Sequence, residues 1–326
     1  MIVSVSGMGY VGAGAAYDLL CEYPEIEYKA NSFEFGILYE ADGVIDLVNK
    51  LKLNDSKISS YIPIRRFLNL ARFYSSFGWF SNYTKDFLYQ EAETFINNLG
   101  VVKSKGFQIS DYANMTDRES LILRLDTLFS RFLRRLGINR SFPFSKDMYI
   151  FVGSDNLQLL ASQFMQRVFD NLRKKEGSIL LLKHLCPPNN PEICIPYFKE
   201  KLRHITLTRD PRDLYVLGKI NKTSDFPCNT VDNFIRFYQK AFTFNFDNYP
   251  ECIVIPFEDF CYRYEITVNK IEEFIGLNPA NHRKRTHFVP EESIRNTKIF
   301  EKYPEYTDDI KKIEISLASF LYPFEK

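Results

Sequence analysis

Two short runs, far apart in the chain, carry what phosphate chemistry needs. The first is Ser6-Gly7-Met8-Gly9-Tyr10-Val11-Gly12-Ala13-Gly14-Ala15, which follows an apolar stretch at the N-terminus. Gly7 and Gly12 have the spacing G-x-x-x-x-G, and Gly7, Gly9 and Gly12 also spell G-x-G-x-x-G. Glycine lets the main chain turn sharply and approach an anion closely. The free N–H groups of a helix start then bind phosphate oxygens. A nucleoside triphosphatase carries Lys and Ser/Thr after the second glycine, where this chain has Ala13 and Gly14, so ATP or GTP hydrolysis is not expected. The second run is Arg209-Asp210-Pro211-Arg212-Asp213. Arg209 and Arg212 offer planar forks suited to phosphate. The alternative is an Arg–Asp ion pair that pins the loop. Taken together, the runs suit a nucleotide with phosphates at two places, held by 7–15 on one side and by Arg209 on the other.

Group transfer to a hydroxyl also needs a base within hydrogen-bond reach. Glu34 and Asp42 follow the region where a second strand should end, and His184 follows the apolar run 179–182. Each has a plain alternative, as a solvated acid or a satisfied histidine. No His/Cys/Asp cluster has metal-ligand spacing, so no metal is expected.

The elements that must position these residues are legible in outline. Apolar runs at 2–5, 148–152, 179–182, 205–208 and 253–256 read as buried parallel strands, with helical patterns between them. That alternation implies an α/β fold, an open parallel sheet of about five strands flanked by helices on both faces. Pro211 cannot continue a central strand, so Arg209 falls at a strand's carboxyl end, where open α/β sheets bind ligands. Helices are expected at 13–21, 156–172 and 264–275, the last stopped by Gly276 and Pro279. Residues 45–145 are helical in period and rich in Leu, Phe, Arg and Tyr. They read as an insertion packed on one edge of the sheet, inside a single domain spanning 1–326.

The two runs, in this order, resemble the sulfotransferase superfamily that uses 3′-phosphoadenosine 5′-phosphosulfate (PAPS). Val254-Ile255-Pro256-Phe257-Glu258-Asp259-Phe260 is similar to its strand-plus-(Y/F)-E-D-L element, and Phe274-Ile275-Gly276-Leu277 to its F-L-G-L helix end. His282-Arg283-Lys284-Arg285 and residues 288–296 look like its C-terminal basic segment. The start of the chain, with Glu34-Phe35 and Asp42-Gly43, looks like divergent bacterial members linked to surface polysaccharides. The resemblance implies PAPS as donor, adenosine 3′,5′-bisphosphate (PAP) as product and a carbohydrate hydroxyl as acceptor. It assigns the 5′ side to 7–15 and the 3′-phosphate to Arg209, with Lys284 or Arg285. Departures are Tyr10 for a loop Lys or Arg, Ala13-Gly14 for a Ser/Thr pair, and Leu217 for a Ser. The cation at the leaving oxygen must then come from elsewhere, with Lys183, Lys219, Arg65 and Arg66 as candidates. A different activated donor or an inactive homologue stays open. So does a nicotinamide (NAD) sugar dehydrogenase, because Gly-Met-Gly-Tyr-Val-Gly is very like the first turn of UDP-sugar dehydrogenases.

Bulk properties narrow the setting. The 326 residues carry a net charge of +1, so no strong field draws the whole protein to nucleic acid. Six scattered cysteines without a C-x-x-C pair read as reduced and buried, which fits the cytoplasm. No run approaches the ~20 apolar residues of a membrane span. The N-terminus lacks the basic start of a signal peptide. A homo-oligomer is compatible with all of this.

Overall fold

The apolar run at the N-terminus becomes β1 (Ile2–Gly7), buried along its whole length. It is the centre of a five-stranded sheet in the computed structural model, which describes residues 1–29, 33–78, 80–113, 115–138, 146–153, 155–246 and 248–324. β5 (Ile179–Lys183) and β6 (Leu202–Thr208) pair with β1 on either side, both in parallel. β7 (Cys252–Pro256) extends the sheet beyond β6, and β2 (Ile26–Glu27) beyond β5. The order is β2-β5-β1-β6-β7.

Side chains alternate across these strands, so each face has its own core. Val3, Val5, Leu181, Ile205 and Leu207 face helices Ala13–Leu20, Pro211–Asn221, Val231–Ala241 and Tyr264–Ile275. Ile2, Leu180, Leu182 and Leu202 face helices Val44–Leu53, Tyr61–Ser76, Leu88–Asn98 and Leu157–Leu172. The helices between residues 44 and 98 therefore cover a face of the sheet, not an edge. An amphipathic helix gains most by laying its apolar stripe on the broad apolar face.

The run expected as a main-sheet strand at 148–152 lies elsewhere. It forms β4 (Lys146–Ile150), paired antiparallel with β3 (Val102–Gly106) in a separate two-stranded ribbon. Lys146 and Asp147 are exposed, and so are the first four residues of β3. A short apolar run carries no information about its partner. The fifth place in the main sheet is taken by β2, which is only two residues long. Helix boundaries were better specified. Helix Pro211–Asn221 starts at a proline, with Asp210 capping the Arg212 N–H at 2.9 Å. Helix Tyr264–Ile275 ends at Gly276, whose φ of 87° suits glycine. All six cysteines are free, five of them buried. Among the described residues no helix is long and apolar enough to cross a membrane.

Candidate functional site

β1 delivers the glycine loop to the carboxyl edge of the sheet, next to the ends of β5 and β6. Gly12 is the N-cap of helix Ala13–Leu20, at φ 86°, and no side chain caps the helix start. Non-glycine residues pay for that left-handed angle. A Cβ on Gly12 would also stand 2.5 Å from the Phe257 ring. The opposite holds two residues on, where a Cβ on Gly14 would meet nothing within 4 Å. The first turn of the helix thus opens onto free space.

Arg209 closes this space from the other run. Its side chain is 6% exposed. It donates to the Tyr10 carbonyl at 2.9 Å and to the Asn296 carbonyl, and lies 3.8 Å from Asp213. It also stacks on Phe257, 4.9 Å from the ring centre. Burial pushes the Asp213 carboxyl up to about 6, against the pull of Arg209. Arg212 turns to a different set of partners, Asp210 at 2.8 Å and Glu314 at 3.0 Å, above the Phe300 ring. Both arginines are thus engaged by protein groups, and Arg209 is the one at the loop.

Between these walls lies a cavity of about 360 Å³. Tyr10, Gly12, Gly14, Ala15 and Asp18 line it from the N-terminal run, and Arg209, Phe257, Phe288, Ser293 and Asn296 from later elements. The C-terminal segment is held against helix Ala13–Leu20 by Glu22, which accepts from the His287 and Phe288 N–H groups, both at 2.9 Å. His282 meets the same carboxylate at 2.6 Å. Lys284 and Arg285 pair at the surface with Glu265 and Glu291, each at 2.9 Å.

The other candidates gather at the end of β5. The helix after β1 lies on one face of the sheet, whereas Cys186, Cys194 and Tyr197, which follow β5, pack into the opposite core. Such a reversal opens a crevice at the carboxyl ends of the two strands. His184 stands there at φ 53°, its N–H bonded to the Val5 carbonyl at 3.0 Å. Its Nε2 is 3.7 Å from Glu34, and the Lys183 ammonium is 3.8 Å from the same carboxylate. Burial holds the His184 pKa below its ordinary value, with Glu34 opposing, so the imidazole is neutral at pH 7. Burial raises the Asp18 pKa, and the nearby Lys183 charge works against that rise.

Glu34 and His184 are therefore brought together, and Asp42 is placed elsewhere. Its carboxylate is 3.3 Å from Lys50 and 3.9 Å from Arg66, beside the start of helix Val44–Leu53. Of the other candidate cations, Arg65 pairs with Asp111 at 2.7 Å and Lys219 donates to the Asn229 carbonyl at 3.2 Å. Lys183 is the one beside Glu34. Asp18 was missed in the sequence, although it follows Gly14 by four residues and so shares its helix face.

Strand order bears on the dinucleotide reading. In that fold the second strand lies beside the first, and its terminal acid reaches the ribose. Here β5 lies beside β1 on that side, and β2 is two residues at the sheet edge. β5, the neighbour of β1 on that side, ends at Lys183 and carries no acid of its own there.

No family model matches the chain, and no curated protein does. Among solved structures it is similar to retinol dehydratase in complex with androsterone and the inactive cofactor PAP. Identity is 11%, the TM-score is 0.21, and the match covers 54% of this chain and 58% of that one. The chain thus spans little more than half the length of that protein. Fold and site define an open α/β protein with a candidate anion cavity at the carboxyl edge of its parallel sheet.

Proposed function

We propose that this protein is a PAPS-dependent sulfotransferase acting on a hydroxyl of a carbohydrate, a surface or capsular polysaccharide or its precursor. The observation that carries the reading is the shared cavity: the uncapped helix start at Gly12–Gly14 and Arg209 stand on its walls together. A volume of about 360 Å³ is in the range of small-ligand sites. The donor set suits anionic oxygens, with backbone N–H groups of a helix start and one buried guanidinium.

PAPS supplies an activated sulfuryl group when bound. Gly12–Gly14 receive the 5′ side through main-chain N–H groups. Arg209 holds the loop at Tyr10 and the C-terminal segment at Asn296, and adds positive potential to the cavity. Its fork is engaged by those carbonyls, so its part at the 3′-phosphate is electrostatic and organising. Ser293 and Asn296 add polar side chains at the later wall. His184, neutral at pH 7, takes the acceptor proton as the acceptor oxygen bonds to sulfur and the bond from sulfur to the PAP oxygen breaks. Lys183, beside His184, balances the charge that gathers on the departing oxygen. The free, mostly buried cysteines support the reducing cytoplasm as the setting.

The engaged fork of Arg209 and the tyrosine at position 10 favour one second reading, a nucleotide-binding protein that transfers nothing or uses another donor. Thermal melting with PAP, PAPS, NAD and CMP separates these. A specific ligand at a hundred times its Kd adds about 2.7 kcal/mol. The largest shift is expected with PAP, followed by turnover of PAPS with a glycan acceptor. Binding without turnover on any glycan supports the second reading, and a shift with NAD or CMP alone overturns the proposal.

A further inference from the structure

The chain leaves the α/β body along β3 and returns along β4, and between them lies helix Asp117–Arg135, which has no buried residue. Its start is specified locally. Thr116 accepts from the Glu119 N–H and the Glu119 carboxylate accepts from the Thr116 N–H, a reciprocal cap that needs no tertiary support. Its side chains are nevertheless those of a helix that buries a face. Leu121, Leu125, Leu128, Phe129, Phe132 and Leu136 are each 50% exposed or more. At the helical repeat they fall within an arc of about 100°. Arg124, Arg131 and Arg135 follow one border of that arc.

Charge says what covers this face. Residues 127–146 contain Arg131, Arg134, Arg135, Arg140 and Lys146 and no Asp or Glu, in a chain whose net charge is +1. Lys103 and Lys105, exposed on β3, add to the same arm. The helix's own acids, Asp117, Glu119 and Asp126, sit in its first half. An apolar face bordered by arginine matches a surface that is apolar inside and anionic at its boundary. A second copy of the helix packed antiparallel would set this arginine border against itself.

We propose that this arm is a membrane-surface anchor. The helix lies in the plane of an anionic lipid leaflet. Its Leu/Phe face enters the acyl boundary, and Arg124, Arg131 and Arg135 meet headgroup phosphates. It does not cross the bilayer.

Co-sedimentation of the full chain with vesicles tests this, using phosphatidylcholine alone and phosphatidylcholine with about 30% phosphatidylserine. The protein is expected to pellet with the anionic vesicles only, and to be released by high salt. Replacing Arg124, Arg131 and Arg135 by Gln weakens partitioning about a hundred-fold. Leu125→Ser with Phe132→Ser does so to a similar degree. Both variants are expected to melt close to wild type, because the three arginines are exposed and Leu125 and Phe132 are each 58% exposed. Failure of the wild type to pellet with anionic vesicles overturns the proposal, as does pelleting that neither variant weakens. A wild-type dimer in analytical ultracentrifugation that Leu125→Ser with Phe132→Ser dissolves, without vesicle binding, assigns the face to a second copy instead.

Discussion

Nη1 of Arg209 donates to the main-chain carbonyl of Tyr10 at 2.9 Å, across 199 residues of sequence. The bond joins the loop after β1 to the loop after β6, so the glycine turn and the arginine run form one wall. Nη2 reaches the Asn296 carbonyl and adds the C-terminal segment. Three stretches of chain are thus held by one planar fork, which a lysine's point charge could not do.

Arg209→Ala should therefore cost more than a surface arginine. It removes both loop contacts and leaves Asp213, fully buried, without its cation. A loss of about 3 kcal/mol is expected in urea titration. Arg209→Lys retains the charge and should recover part of the stability while still losing the PAP melting shift. Equal stability of Arg209→Ala and wild type would show that the fork does not hold the loops.

Gly14 offers a test of the cavity with little structural cost. Gly14→Ala should raise stability by up to ~1 kcal/mol, because alanine favours the helix and its methyl meets open space. Gly14→Trp should keep the fold and abolish the PAP shift by filling the cavity. Gly12→Ala should behave differently, destabilising by about 1–2 kcal/mol from its positive φ alone, before the clash with Phe257. A PAP shift retained in Gly14→Trp would place the nucleotide elsewhere.

His184 should govern the acid limb of any transfer. Its pKa is held below the ordinary value by burial, so activity should rise with pH through a midpoint below 6.5. Glu34 opposes that depression, so Glu34→Gln should move the limb to still lower pH. His184→Asn should lower kcat by about 10²–10⁴ and leave the PAP shift in place. An unchanged limb in Glu34→Gln would remove His184 from the titration.

Glu258 should make stability fall as pH rises. It is fully buried, accepts from the Asp210 N–H at 2.9 Å, and burial pushes its carboxyl up to about 7. Between the ordinary carboxyl range and about 7 the native state holds a proton that the unfolded chain has released, so stability declines across that window. The loss amounts to about 3 kcal/mol. Glu258→Gln keeps the Oε1 acceptor and cannot ionise. It should match wild type near pH 4 and exceed it near pH 8, by parallel urea titrations. Identical pH profiles for the two proteins would refute the shift.

Local pattern was enough for much of the fold. Short apolar runs placed β1, β5, β6 and β7, because a strand buried on both faces cannot hide its composition. Gly276 marked the end of a helix and Pro211 the end of a strand, through backbone chemistry that acts within a few residues. The spacing of Gly7, Gly9 and Gly12 identified the loop for the same reason.

Partner choice was not local, and there the tertiary structure decided. The run at 148–152 looked like the others, yet β4 pairs with β3 and leaves the edge of the sheet to two residues of β2. Asp210 and Asp213 stand beside Arg209 in sequence, but its hydrogen bonds go to carbonyls 199 and 87 residues away. Glu34 and His184 met because the chain after β2 runs alongside β5, where Glu34 bridges Lys183, while Asp42 was drawn to Lys50 and Arg66. Residue types and short-range angles belong to the sequence itself. Which buried donor meets which acceptor depends on how the layers close, since every group taken out of water must find a partner among those that arrive beside it.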